Sequence, residues 1–115
     1  MNVKEFYNAA HGDYQRALSI MMSDSLIERM INKFMANNAY QDIVNAYDKK
    51  DYASIFPLVH TFKGVTGNLA LTELFEISSI ITEATRNGAT PNLDKEIEIL
   101  KERYQRLENS YQKYR

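Results

Sequence analysis

Apolar residues return every three or four positions along almost the whole chain, a period that suits helices and little else. Tyr14, Ala17, Leu18 and Met21 share one helical face. So do Leu26, Met30, Ile31 and Phe34, and then Tyr40, Ile43, Val44 and Tyr47. Leu71, Leu74, Ile77, Ser78, Ile81 and Thr85 form a further stripe, and Ile97, Leu100, Tyr104, Leu107 and Tyr111 the last. β-Branched residues do not alternate, and only two prolines and four glycines punctuate the pattern. Amphipathic helices with short connections predict an all-α fold, an antiparallel four-helix bundle, with a short helical lead-in over Met1 to Ala10.

Cap and turn residues mark the boundaries. Gly12-Asp13 opens the Tyr14–Met22 stretch. Ser23-Asp24-Ser25 starts the next helix, with Glu28 three residues after Ser25 as a capping box. Asn37-Asn38 interrupts or bends the path, and the pattern fits one long helix or two. Asp48-Lys49-Lys50-Asp51 is a polar turn, and Asp51 or Ser54 caps the helix after it. Pro57 lies inside that helix, either in its first turn or at a kink. Asn87-Gly88 is a left-handed stop. Asn92 caps a last helix from Leu93 to about Tyr114, acidic at its start and basic at its end as the helix dipole prefers.

With 115 residues the expectation is one domain spanning 1–115. A net charge of −1 gives no basic footprint for nucleic acid. No apolar run approaches the roughly 20 residues of a membrane span, and Met1-Asn2-Val3-Lys4-Glu5-Phe6-Tyr7 has no signal-peptide character. The absence of cysteine excludes disulfides and thiolate metal sites and fits a reducing compartment. A cytoplasmic monomer is expected.

The segment Leu58-Val59-His60-Thr61-Phe62-Lys63-Gly64-Val65-Thr66-Gly67-Asn68-Leu69 carries the functional signal. Wound as a helix, it places Ile55, Leu58, Phe62, Val65 and Leu69 on a core side. His60 projects from the opposite side, with Lys63, Gly64 and Gly67 beside it. Phe56 and Pro57 lie one turn earlier, on the exposed side. Each glycine costs roughly 0.5–1 kcal/mol in a helix interior relative to alanine. Two on the histidine face suggest that something comes close to it, so Phe56, Pro57, Gly64 and Gly67 are candidate docking positions.

His60-Thr61-Phe62-Lys63-Gly64, followed by Gly67, Asn68 and Leu69, resembles the signature of histidine-containing phosphotransfer (Hpt) domains. Gly12-Asp13-Tyr14, the Leu26–Phe34 helix, Lys50-Asp51-Tyr52 and Arg86-Asn87-Gly88 extend the resemblance over nearly the whole chain. It implies a four-helix bundle that relays phosphoryl groups between receiver-domain aspartates, or between a kinase and a receiver, without kinase activity of its own. His60 would be the phosphoacceptor through Nε2, and Lys63 would stabilise the phosphoryl oxygens. Gly64 would clear the incoming acyl phosphate, and Gly67 would keep the docking surface low. The chemistry is consistent: a neutral imidazole is nucleophilic near neutral pH, and phosphoryl transfer needs positioning and charge more than covalent help. No cofactor or metal is expected in this chain; the resemblance assigns magnesium to the receiver.

Two positions depart from the family pattern. Ala70 stands where glycine is usual, so a helix running on through Ala70 is one reading of the turn. Thr82 stands where many members place Gln or Glu to hold the imidazole; a hydroxyl could do so only across a closer helix pair or through water. Arg86, one turn later, matches a position that is basic in some members and could reach the phosphate. Among rival readings, neither His60 nor His11 has a glutamate three residues before it, which excludes the di-iron bundle pattern. The methionines at helical spacing read as core filler. A receiver-docking adaptor without transfer is the functional alternative, and a purely structural bundle the third. His60 with Lys63 intact favours transfer over the adaptor.

Overall fold

The computed structural model describes residues 1–115, and its elements follow the periodicity closely. Helix α1 (Val3–Ala9) is the expected lead-in, and α2 (Tyr14–Met21) is the stretch that Gly12-Asp13 opens. Helices α3 (Asp24–Met35), α4 (Ala39–Asp48), α5 (Tyr52–Asn68), α6 (Thr72–Ala84) and α7 (Asp94–Tyr114) follow, with a 3₁₀ turn at Arg86–Gly88. The path that Asn37-Asn38 interrupts is therefore two helices. Asn37 accepts a hydrogen bond from the Ala39 N–H, an Asx-type start that competes with continued helix. The broken α3–α4 arm, α5, α6 and α7 make the four-helix bundle; α1 packs on α7, and α2 on α3.

Cap chemistry places the ends. Ser23, rather than Ser25, caps α3 by accepting from the Leu26 N–H at 3.1 Å. Glu28 is consequently free of a capping role and binds the Met1 amine at 2.9 Å. Asp51 caps α5 through the Ser54 N–H, and the Ser54 hydroxyl donates back to Asp51 at 2.7 Å. Asn92 accepts from the Asp94 N–H at the start of α7. Asn87 and Gly88 take the left-handed conformation expected of a stop, with φ of 60° and 76°.

The end of α5 settles the question at Ala70. The helix stops at Asn68, and Ala70 enters the left-handed region with φ 54°. The Leu71 N–H bonds the Thr66 carbonyl at 2.9 Å and the Ala70 N–H bonds the Gly67 carbonyl at 3.1 Å, the paired bonds of a Schellman cap. A non-glycine residue held there carries a conformational cost, and packing offsets it. The Ala70 methyl is buried, the Asp13 N–H donates to its carbonyl at 2.9 Å, and the Tyr7 hydroxyl donates to the Leu69 carbonyl at 2.6 Å. Burial pushes the Tyr7 phenol well above its ordinary pKa. Gly12 permits this contact, because a Cβ there would lie 2.8 Å from the Tyr7 ring and 3.1 Å from the Ala70 carbonyl oxygen. The lead-in thus clamps the turn at the far end of the histidine helix.

On α5 the buried stripe is Ile55, Val59, Phe62 and Thr66, continuing to Leu69. Leu58 is half-buried and Val65 is exposed, so the stripe lies one position away from the apolar count at both places. Thr66 can enter the core because its hydroxyl donates to the Phe62 carbonyl at 2.9 Å, which satisfies the polar atom within the helix. Pro57 sits in the second turn and is exposed; α5 runs through it from Tyr52 to Asn68.

Candidate functional site

His60 stands on the exposed side of α5, away from the buried stripe. Lys63 follows one turn later and is half-buried, and Gly64 is exposed. The two glycines differ in kind. A Cβ built on Gly64 meets nothing within 4 Å, so the backbone beside His60 faces open space. A Cβ on Gly67 would meet two carbons of the Phe75 ring at 3.0 Å. The room left by Gly67 is thus already taken by an aromatic ring of α6, which corrects its expected role as bare docking surface.

These residues line one side of an open cleft of about 630 Å³ that runs along α5 from His60 towards its C-terminus. The other walls are the start of α2, through Asp13 and Arg16, and the start of α6, through Phe75. Phe75 is 37% exposed. Arg16 and Phe75 belong to elements distant in sequence from His60, and no spacing rule links them to it.

The flank towards α6 is built differently. Phe56 is half-buried rather than exposed, and its ring stacks on the His60 imidazole with centroids 5.7 Å apart and an interplanar angle of 28°. The Arg86 guanidinium carbon lies 5.5 Å from the centroid of the same Phe56 ring. Arg86 is in turn held in a fork by Glu83, Nη2 to Oε1 at 2.7 Å and Nε to Oε2 at 3.2 Å. That fork holds the Glu83 carboxyl below its ordinary range, and the charges of Arg86, Lys63 and His60 add to the effect. The same bond raises the Arg86 pKa.

Thr82 does not reach the imidazole. It is fully buried, and its hydroxyl donates to the Ser78 carbonyl at 2.7 Å inside α6. A short buried side chain satisfies its hydroxyl proton on the preceding carbonyl, and Thr82 makes no direct hydrogen bond to His60 of the kind considered for it. Pro57 is exposed one turn before His60, as expected. The histidine face therefore brings together His60, Lys63, Gly64, Phe56 and Arg86, with Glu83, Arg16 and Phe75 added. No group of three or more His, Asp or Glu side chains is placed to hold a metal ion, and no helix is long and apolar enough to cross a membrane.

The site as built offers one accessible imidazole with an ammonium one helical turn away and an uncovered stretch of backbone beside both. That suits nucleophilic attack on an electrophile carried by a larger partner. In comparison with known families, the family model described as Hpt domain matches residues 22–110, which include every residue of the site except Asp13 and Arg16. No curated protein and no solved structure matches the chain.

Proposed function

The chain belongs to the Hpt domain family, and from that premise we propose that His60 is the residue on which it carries phosphate. Hpt domains perform histidine phosphotransfer in phosphorelays and interact with receiver domains of response regulators and kinases. The finer reading is that His60 accepts a phosphoryl group from a phospho-aspartyl receiver and passes it to another receiver. The observation that carries it is the conjunction at one exposed face of His60, Lys63 at i+3 and Gly64 with nothing above it.

The step needs little from the protein beyond placement. The Nε2 lone pair attacks phosphorus while the bond from phosphorus to the aspartyl oxygen breaks, its electron pair leaving with the carboxylate. The imidazole keeps its Nδ1 proton, so no proton has to move. Transfer onward is the reverse: an aspartate oxygen attacks phosphorus and the pair of the P–N bond returns to Nε2. Lys63 supplies a point charge to the three phosphoryl oxygens, where charge is distributed during transfer. Gly64 leaves space for the acyl phosphate.

Incubation with a panel of phosphorylated receivers, followed by acid treatment of the labelled chain, tests the reading. Phosphohistidine loses its label in acid. A label that survives, or no label from any receiver, contradicts it. Gly64→Gln supplies the second arm: it should block transfer from a receiver and leave phosphorylation by phosphoramidate nearly intact, because only the receiver needs the space above the glycine.

A further inference from the structure

With Thr82 buried and bonded to Ser78, α6 gives the imidazole no partner at that position. The neighbour that His60 does have is aromatic. Phe56 lies one turn earlier on the same helix, with its ring stacked on the imidazole, and it is itself half-buried. Arg86 lies over the Phe56 ring, and Glu83 grips Arg86 with both carboxylate oxygens. Glu83 belongs to the last turns of α6 and Arg86 to the 3₁₀ turn after it, so this series of contacts ties the end of α6 to the nucleophile on α5.

We propose that Phe56 is a positioning residue for His60, and that the Glu83–Arg86 pair holds Phe56 in place, so that a stacked ring does here what a hydrogen bond to the imidazole would otherwise do. The inference rests on His60 being the phosphoacceptor. An exposed histidine on a helix has two common χ1 wells and a broad, roughly two-fold χ2, about four arrangements in all. Only those that direct Nε2 outwards, in line with an incoming acyl phosphate, are productive. A ring stacked against the imidazole removes arrangements that turn it away. Aromatic contacts of this kind, and a cation over a ring, are each individually modest at a partly exposed site. Linked in series, they are enough to favour one rotamer in four. This gives Phe56 a role other than docking: the ring faces His60 and the guanidinium, and it acts before any partner arrives.

The test uses Phe56→Leu, Phe56→Tyr and Glu83→Gln with two readouts. The first is the ring-current shift of the His60 imidazole protons by NMR on the unphosphorylated protein. The second is the initial rate of phosphorylation by phosphoramidate, which requires no protein docking. Phe56→Leu should lose the shift and slow the small-donor reaction by about 3–4-fold, the factor set by the number of arrangements released. Phe56→Tyr should keep both close to wild type, and Glu83→Gln should fall between them. A leucine variant that keeps the shift, or that slows only the receiver reaction, overturns the proposal and returns Phe56 to docking. Equal losses in the leucine and tyrosine variants overturn it too. If wild type takes phosphate from neither donor, the phosphoacceptor reading fails, and the shift still decides whether the stack orders the ring.

Discussion

Replacing Gly64 with alanine should make the protein more stable and a poorer relay. In a helix interior, alanine is favoured over glycine by about 1 kcal/mol, partly because glycine leaves the unfolded chain more freedom. That gain is usually reduced by what the new methyl strikes, and here it strikes nothing within 4 Å. For a chain of this length about 1 kcal/mol corresponds to a rise of roughly 3–5 °C in melting temperature, readable by thermal circular dichroism. Gly67→Ala is the internal control. Its methyl would sit 3.0 Å from the Phe75 ring, and that ring, 37% exposed, must swing away at some cost. The stabilisation of Gly67→Ala should therefore be smaller than that of Gly64→Ala. If Gly64→Ala lowers the melting temperature, or if Gly67→Ala gains as much, the distinction between an open glycine and a covered one is wrong. Receiver-dependent transfer should fall in Gly64→Ala while phosphoramidate labelling holds, which would show that the glycine is kept at the expense of stability.

Lys63→Ala should slow transfer by about 10–100-fold without preventing docking, since the ammonium acts on charge in the migrating group; equal single-turnover rates would demote it to a surface lysine. Thr82→Val should leave phosphorylation rates within about two-fold of wild type and change stability by less than about 1.5 kcal/mol, the net worth of one hydrogen bond, and a large loss of transfer would restore Thr82 to the site. Asp94 accepts a hydrogen bond from the Tyr47 hydroxyl, which with Lys50 and Asn92 holds its carboxyl below the ordinary range. A depressed folded pKa stabilises above the unfolded value of about 3.9 and is lost as pH falls through the folded one. Urea midpoints measured down the acid side should therefore decline less steeply in Asp94→Asn; an unchanged slope would show that the bond does not couple to folding.

Much of the fold was legible because burial and hydrophobicity coincide along most helices. Leu71, Leu74, Ile77, Ser78, Ile81 and Thr85 are all buried as their spacing predicts, and so are Ile97, Leu100, Tyr104 and Leu107. Reading by apolar count failed where a polar side chain hides its own hydroxyl. Thr66 takes the core place that Val65 was expected to hold, and Thr82 lies below the surface, both by bonding a carbonyl one turn back. Hydropathy carries no trace of that local bond. Ala70 misled in the opposite direction: alanine favours helix, but the bonds from Leu71 and Asp13 and the clamp at Tyr7 impose the turn from outside the segment. The histidine face itself was readable, since His60, Lys63 and Gly64 lie within five residues on one helix. Arg16, Phe75 and Glu83 were not, because only the packing of α2 and α6 beside α5 brings them near.

The most direct measurement is label transfer from a phosphorylated receiver to wild type and to His60→Gln, with thermal melting of both. His60 is exposed and opposite the buried stripe, so the substitution should change stability by no more than about 0.5 kcal/mol and abolish acid-labile label altogether. Label retained by His60→Gln would place the phosphoacceptor elsewhere and contradict the account.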